Sequence, residues 1–171
     1  VTASDGTDST TQDITVNVTN VNENLPVFTS GATFSAAENQ TAIGTVTAID
    51  ADGDDITYSI SGSEITINSS TGVLTFVEAP DYETKSTYTA TVTASDGTDS
   101  TTQDITVNVT DVNENAPVFT SSATFSAAEN QTAIGTVTAT DPDGDDITYS
   151  ISGSEITINS STGVLTFASA P

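Results

Sequence analysis

Residues 111–119 read DVNENAPVF. Asp111 and Glu114 supply carboxylates, Asn113 and Asn115 supply amides, and Pro117 follows. A linker built for flexibility uses Gly and Ser instead. Oxygen donors at this density suit a hard cation. Ca2+ takes six to eight oxygens at roughly 2.3–2.6 Å and tolerates bidentate carboxylates. Mg2+ suits them less, because it demands strict octahedral geometry and keeps its waters.

The rest of the chain narrows the chemistry further. It has 171 residues, 24 acidic and one basic, for a formal charge of −23. The basic residue is Lys85; there is no Arg, His, Cys, Met or Trp. Phosphate contacts need Lys and Arg, so neither nucleic acid nor an anionic membrane surface is an expected partner. No apolar run approaches the roughly 20 residues of a membrane helix, so no membrane insertion is expected in this segment. Without Cys there are no disulfides, zinc thiolates or thiol nucleophiles. Without His the commonest general base is missing. The chain is not expected to be an enzyme. Asp81 and Glu83 could be drawn as a catalytic carboxylate pair, but a ligand or surface-turn role is the simpler reading. DADGDD (residues 50–55) opens like an EF-hand loop, yet Ser61 stands where its closing Glu is required. Six Asn-x-Ser/Thr sequons occur, at Asn17, Asn39, Asn68, Asn108, Asn130 and Asn159. In a chain this rich in Asn, Ser and Thr they arise by composition.

The linker belongs to a repeat with an offset of 91 residues. Residues 1–24 recur as 92–115, and 25–80 recur as 116–171. Seven of these 80 pairs differ, at positions 20, 25, 31, 49, 51, 77 and 78. Residues 25–115 are expected to form one complete repeat. Residues 1–24 then form the C-terminal part of a preceding repeat, and 116–171 the N-terminal part of a following one. The partial repeats lack a counterpart of residues 81–91. That gap argues against strand exchange between chains and favours a longer tandem array.

The elements that must position the linker are strands. Ile14, Val16 and Val18 alternate with polar residues in DITVNVT. Ile56, Tyr58 and Ile60 do the same, as do Ile65 and Ile67, and Tyr88, Ala90, Val92 and Ala94. VLTF (residues 73–76) and Ile105, Val107 and Val109 complete the set. Thr, Val and Ile favour a pleated surface. ADGDD, SGS, SSTG and SDGT mark the turns between. About seven strands in 91 residues predict a β-sandwich. Phe28, Phe34, Tyr58, Phe76 and Tyr88 are its expected aromatic core. The unit carries 14 acidic residues against Lys85. Self-repulsion and a small core both make it marginal without a bound cation.

Read in order, these motifs resemble a cadherin repeat. AAENQTAIGTVTAIDADGD resembles its first half, STGVLTF with PDYE its middle, VTASDG its penultimate strand, and DVNENAPVF its linker. The resemblance spans the 91-residue unit. It implies an all-β fold of tandem Greek-key, seven-strand antiparallel sandwiches of Ig-like architecture, with Ca2+ at each junction. Carried over by residue, it implies metal ligands at Glu38, Asp81 and Glu83 of the complete repeat. From the linker it implies Asn113 and Glu114 by side chain, with Val112 and Asn115 by backbone carbonyl. From the following repeat it implies Asp141 and Asp143. At the first junction it implies Asn22, Glu23, Asn24, Asp50, Asp52 and Asp96. Glu23 and Glu114 stand where the family usually has Asp. The second junction is expected to be the more complete.

The function implied is a calcium-rigidified structural repeat of an extracellular adhesin or surface fibre. The lack of Cys and Arg and the near-identity of the repeats suit a microbial surface array. Neighbouring repeats, and identical chains in a fibre or array, are the expected partners. The alternative is a calcium-dependent polysaccharide-binding module, for which Tyr82 is the best exposed aromatic.

Overall fold

The computed structural model describes all 171 residues. Every regular element is a strand. β1 (Thr2–Ser4) and β2 (Ser9–Thr11) form an antiparallel hairpin. Its SDGT turn is closed by Asp5, whose Oδ1 accepts the Thr7 and Asp8 N–H groups at 2.9 and 2.8 Å.

Residues 25–115 carry β3 (Val27–Phe28), β4 (Thr33–Ala37), β5 (Ala42–Thr45), β6 (Ala48–Ile49), β7 (Thr57–Ile60), β8 (Ile65–Ile67), β9 (Val73–Phe76), β10 (Thr87–Ser95) and β11 (Ser100–Thr110). One sheet runs β4–β11–β10–β7, the other β5–β9–β8, and β3 pairs with β6. The two sheets together hold seven strands, and β3 and β6 form a separate two-stranded pair. The non-consecutive neighbours are those of a Greek key.

By contacts the chain divides into two compact units. Unit 1 comprises Val1–Phe34, Thr41–Glu78 and Tyr88–Val107; unit 2 comprises Ser35–Gln40, Ala79–Thr87 and Asn108–Pro171. In unit 1 the fully buried side chains are aliphatic: Leu74, Ile105, Val46, Val92 and Val107, with Pro26. Burying each aliphatic side chain contributes about 1.5–3 kcal/mol. Among the expected core aromatics only Phe76 is buried; Phe28, Phe34, Tyr58 and Tyr88 are half-buried. Their positions explain it. Tyr88 meets Phe76 edge-on, with centroids 4.9 Å apart at 62°. The Tyr58 hydroxyl accepts the Ala48 N–H at 2.8 Å and so must reach the edge of the core.

In unit 2, β12 (Val118–Phe119) pairs with β14 (Ala139–Thr140). β13 (Ala133–Thr136), β16 (Val164–Phe167) and β15 (Ile156–Ile158) form a three-stranded sheet in that order. Its register repeats that of β5, β9 and β8 shifted by 91 residues.

Two expected strands are not paired. Residues 13–19 form no regular element and carry no ladder, although their sequence equals that of residues 104–110 in β11. β11 is flanked by β4 and β10; residues 13–19 have no such neighbours, so Ile14, Val16 and Val18 are exposed. Residues 148–151 repeat β7 but lack the strand that β7 pairs with.

The SSTG turn sets a strict requirement at Gly72. Its φ is +69°, and a Cβ there would sit 2.1 Å from the Val46 carbonyl oxygen. Gly62 also has positive φ, +91°, but open space around it. Gly62→Ala is therefore expected to cost about 1–2 kcal/mol. Gly72→Ala should cost about 3 kcal/mol or more, because backbone must move as well. Chemical denaturation of both variants checks the order.

Candidate metal centres

In unit 1 the loop after β6 folds on itself. Asp50 Oδ1 accepts the Asp52 N–H at 2.8 Å, and the Gly53 N–H reaches the Asp50 carbonyl at 3.3 Å. This turn brings carboxylate oxygens of Asp50, Asp52 and Asp54 within 4.8 Å of one another. The linker then docks on Asp52. Its Oδ2 accepts the N–H groups of Glu23 and Asn24 at 2.9 Å each, and its Oδ1 accepts Asn24 Nδ2 at 2.8 Å. Asn20 Nδ2 donates to the Asp52 carbonyl at 3.3 Å.

Asp96, in the β10–β11 turn, spends Oδ1 on the N–H groups of Thr98 and Asp99, both at 2.7 Å. Its other oxygen is buried without a partner. So are Asn22 Oδ1, Asp50 Oδ2 and Asp54 Oδ2. Burying acceptor oxygens unpaired is costly, and these four belong to one site. The Asn22 side chain lies against Asp96, and Asp54 feels the charges of Asp50, Asp52 and Asp96. Loss of water and those three charges push the Asp54 carboxyl up. Hydrogen bonds from Asn24, backbone and amide, hold Asp52 low; the Asp99 and Thr98 amides do the same for Asp96.

Unit 2 builds a second centre. Asp143 is only 8% exposed. Its Oδ2 accepts the Glu114 and Asn115 N–H groups at 3.1 and 2.8 Å, and its Oδ1 accepts Asn115 Nδ2 at 2.7 Å. Asp141 Oδ1 accepts the Asp143 N–H at 3.0 Å, and Asn113 Nδ2 donates to Asp145. Glu38, 3% exposed, is gripped from both sides. Its Oε2 accepts the Tyr82 N–H at 2.9 Å and its Oε1 the Val112 N–H at 2.8 Å. Asn39 Nδ2 holds Glu114 Oε1 at 3.0 Å.

Three overlapping groups result: Glu38–Glu83–Asp111, Glu83–Glu114–Asp143 and Asp141–Asp143–Asp145, each with oxygens within 4.8 Å of one another. The Glu83 N–H holds its own carboxylate down, but loss of water and the charges of Glu38, Asp111 and Asp143 outweigh this and raise it. Asp111 is raised by loss of water first, then by Glu38, Asp145 and Asp143. The Asn115 amide, then the Asn115 and Glu114 N–H groups, hold Asp143 low.

Most residues singled out from sequence therefore meet in two places: Asn22, Glu23, Asn24, Asp50, Asp52 and Asp96 in unit 1, and Glu38, Glu83, Val112, Asn113, Glu114, Asn115, Asp141 and Asp143 in unit 2. Asp81 stands apart from the carboxylate groups. Its Oδ1 accepts the Thr84 N–H at 2.9 Å and closes its own turn. Asp54 and Asp145 join the centres without having been singled out, and Asp111, noted in the linker, joins them without having been assigned a ligand role. The third acid of DADGD and DPDGD, and the first of DVNEN, were the available signals. Val112 and Glu23 contribute N–H groups that orient carboxylates. Tyr82 is likewise tied by its N–H to Glu38.

A family model described as the cadherin domain matches residues 32–110. Human cadherin EGF LAG seven-pass G-type receptor 2 is 36% identical over 173 residues, which take in 90% of this chain and 6% of that protein. Chimpanzee (Pan troglodytes) protocadherin gamma-A7 is 36% identical over 158 residues, 81% of this chain and 17% of that protein. The chain thus spans a small fraction of these relatives' length. Among solved structures, protocadherin gammaB7 EC3-6, described as a cis-dimer, superposes with a TM-score of 0.78 at 27% identity. That match covers 95% of this chain and 48% of the other. Mouse cadherin-23 EC22-24 gives a TM-score of 0.71 at 26% identity, over 88% of this chain and 56% of the other.

The opposed shifts in unit 2 predict opposite charge-removal effects in metal-free protein. Asp111 is raised, so its ionised form opposes the fold; its penalty grows as pH rises from the ordinary carboxylate value through the raised one. Asp143 is lowered, so its contribution is complete above the ordinary value of 3.8 and lost as pH falls through the depressed one. At pH 7 in chelator, Asp111→Asn should raise the melting midpoint by a few degrees, and Asp143→Asn should lower it by a few degrees. Both differences should shrink toward pH 3. Melting curves across that range check the signs.

Proposed function

Because the chain belongs to the cadherin family, its matched domain lying at residues 32–110, we propose that it is an extracellular adhesive repeat segment stiffened by Ca2+ at two acidic centres. The observation that carries this reading is the set of four orphaned oxygens at the unit 1 centre. Asn22 Oδ1, Asp50 Oδ2, Asp54 Oδ2 and Asp96 Oδ2 are buried and unpaired. All four are hard donors, and a Ca2+ ion would satisfy them together. Asp52 would complete that set.

In unit 2, Glu38, Glu83, Asp111, Glu114, Asp141, Asp143 and Asp145 offer a larger acidic cluster. Ca2+ there would replace mutual repulsion by shared attraction to a divalent cation. The chain's own part is positioning: peptide N–H groups fix Glu38 and Asp143 before any ion arrives. Linker and repeat would then be tied by linkage to ion binding. Extracellular modules of this kind bind calcium at about 10⁻⁴–10⁻³ M, which matches a role outside the cell. The role is mechanical, and the proposed partners are neighbouring repeats and identical chains. Tyr82, on which a polysaccharide-binding alternative leans, is only 36% exposed and held at the unit 2 centre.

Calcium at about 100 times its dissociation constant should raise the unfolding midpoint by roughly 5–10 °C per site. Asp143→Ala should abolish the part due to unit 2, and Asp54→Ala the part due to unit 1. An unchanged midpoint in calcium and chelator would remove the proposal.

A further inference from the structure

In unit 1 the outward side chains of β3 and β6, and of β5, β9 and β8, include no acid and no base, in a chain with 24 acids. On the β3–β6 pair Val27 lies opposite Ile49, and they are 59% and 61% exposed. Leu25, two residues before Val27, shares that face and is 55% exposed. Along β9 the side chains alternate. Leu74 and Phe76 are buried, while Val73 and Val77 stand outward. Thr45 lies opposite Val73, and the Thr41 carbonyl accepts the Phe76 N–H at 2.8 Å. Val46 is fully buried, so Thr45 and Thr47 on either side of it face out with Ile49. Along residues 41–49, Val77 therefore stands at the start, Val73 in the middle, and Ile49 with Val27 and Leu25 at the end.

The exposure belongs to these strands themselves. In unit 2 the copies Val118 and Val164 are 57% and 42% exposed, close to Val27 and to Val73 at 41%. The two ends of the face differ between the repeats. Leu25 and Ile49 become Ala116 and Thr140 at one end, and Val77 becomes Ala168 at the other. These are three of the seven positions that differ, and each exchanges a large aliphatic group for a smaller or polar one. Thr29, Thr45, Thr47 and Thr75, between the two ends, are unchanged. Exposed aliphatic residues scattered singly need no partner; here they line one uncharged face.

We infer that this face of unit 1 packs against the same face of a second copy of this chain, antiparallel, about a two-fold axis near Val73. The inference rests on the proposal above that identical chains are partners, and it names their contact. Charge selects the occupant. Two chains of −23 repel wherever their acids meet, and an uncharged face is where they approach at the least electrostatic cost. A cationic partner would go to the acids instead. The substitutions select the direction. In an antiparallel pair Leu25 and Ile49 of one copy meet Val77 of the other, and Val73 meets Val73. The groups that the axis brings together are those that unit 2 lacks together. Such a contact uses one patch on both chains, with the sheets about 10 Å apart. The patch is small, so the contact is of the weak class that buries less than about 1,200 Å².

Sedimentation of the whole chain, in calcium and in chelator, tests this. The mass should rise with concentration from 17.4 kDa to twice that value and stop. Raising NaCl from about 0.05 M to about 0.5 M should tighten the dimer, because salt screens like charges. Ile49→Thr and Val77→Ala, each the residue that its copy carries, should together weaken the dimer about tenfold and leave the melting midpoint of the monomer in place. The chain has no cysteine, so single cysteines report the contact. Under mild oxidation Val73→Cys should link to itself. Ile49→Cys should link to Val77→Cys about tenfold more than to itself, and Thr93→Cys, outward on β10 of the other sheet, should link about tenfold less than Val73→Cys. A monomer at every concentration, a dimer that NaCl weakens, full association of the Ile49→Thr/Val77→Ala chain, or equal linking from Thr93→Cys would overturn the inference. So would Ile49→Cys linking best to itself, which marks a parallel contact. A dimer that persists while calcium leaves the melting midpoint unmoved would sustain this inference and count against the calcium centres alone.

Discussion

Carboxylates within 4.8 Å of one another repel, and this chain gathers them in two places with a single lysine in its whole sequence. The backbone is what holds them there. Asp143, Asp52, Asp96 and Glu38 each accept two or more hydrogen bonds, chiefly from peptide N–H groups. At Asp96 the division is plain: one oxygen is used by the turn and the other is left buried without a partner. Half of the carboxylate builds the loop, and the other half faces the site. The linker lies where it does because its amides are the donors, so linker path and ligand placement are one arrangement.

The sandwich supplies the rigid base for those loops. In unit 1, β6 and β10 deliver Asp50 and Asp96 from a sandwich whose core holds Leu74, Val92, Ile105 and Val107. A one-residue slip would turn these to the surface and scatter the acids with them.

The strands of residues 25–115 were legible in the sequence because alternation and turn residues agree. The sandwich class and both clusters of acids were legible too. What local pattern could not decide was pairing. Residues 13–19 and 104–110 have the same sequence; one is an unpaired irregular segment and the other the end of β11. Neighbours make the difference, and neighbours lie far along the chain. The same holds within the sites. Spacing does not say which acid of PDYE turns inward. Asp81 closes its turn on Thr84, while Glu83 joins Glu38 and Asp111. Nor does spacing show that Asp111 and Asp145, at opposite ends of the linker contact, feel each other's charge. The expectation that the second junction would be the fuller site also needed structure to refine it. Unit 2 has more carboxylates, but the orphaned oxygens are in unit 1.

The central claim is that a cation, not solvent, answers the charge of these two centres. Side-chain carboxyl NMR of the whole chain during a calcium titration tests it most directly. The account predicts saturable shifts of Asp54 and Asp96 in unit 1, and of Glu83 and Asp111 in unit 2, with midpoints near about 10⁻⁴–10⁻³ M. Asp5, closed in its own hairpin turn, should stay still. Weak, linear drift of all the acids together would mean that calcium is only a diffuse counterion, and would contradict the account.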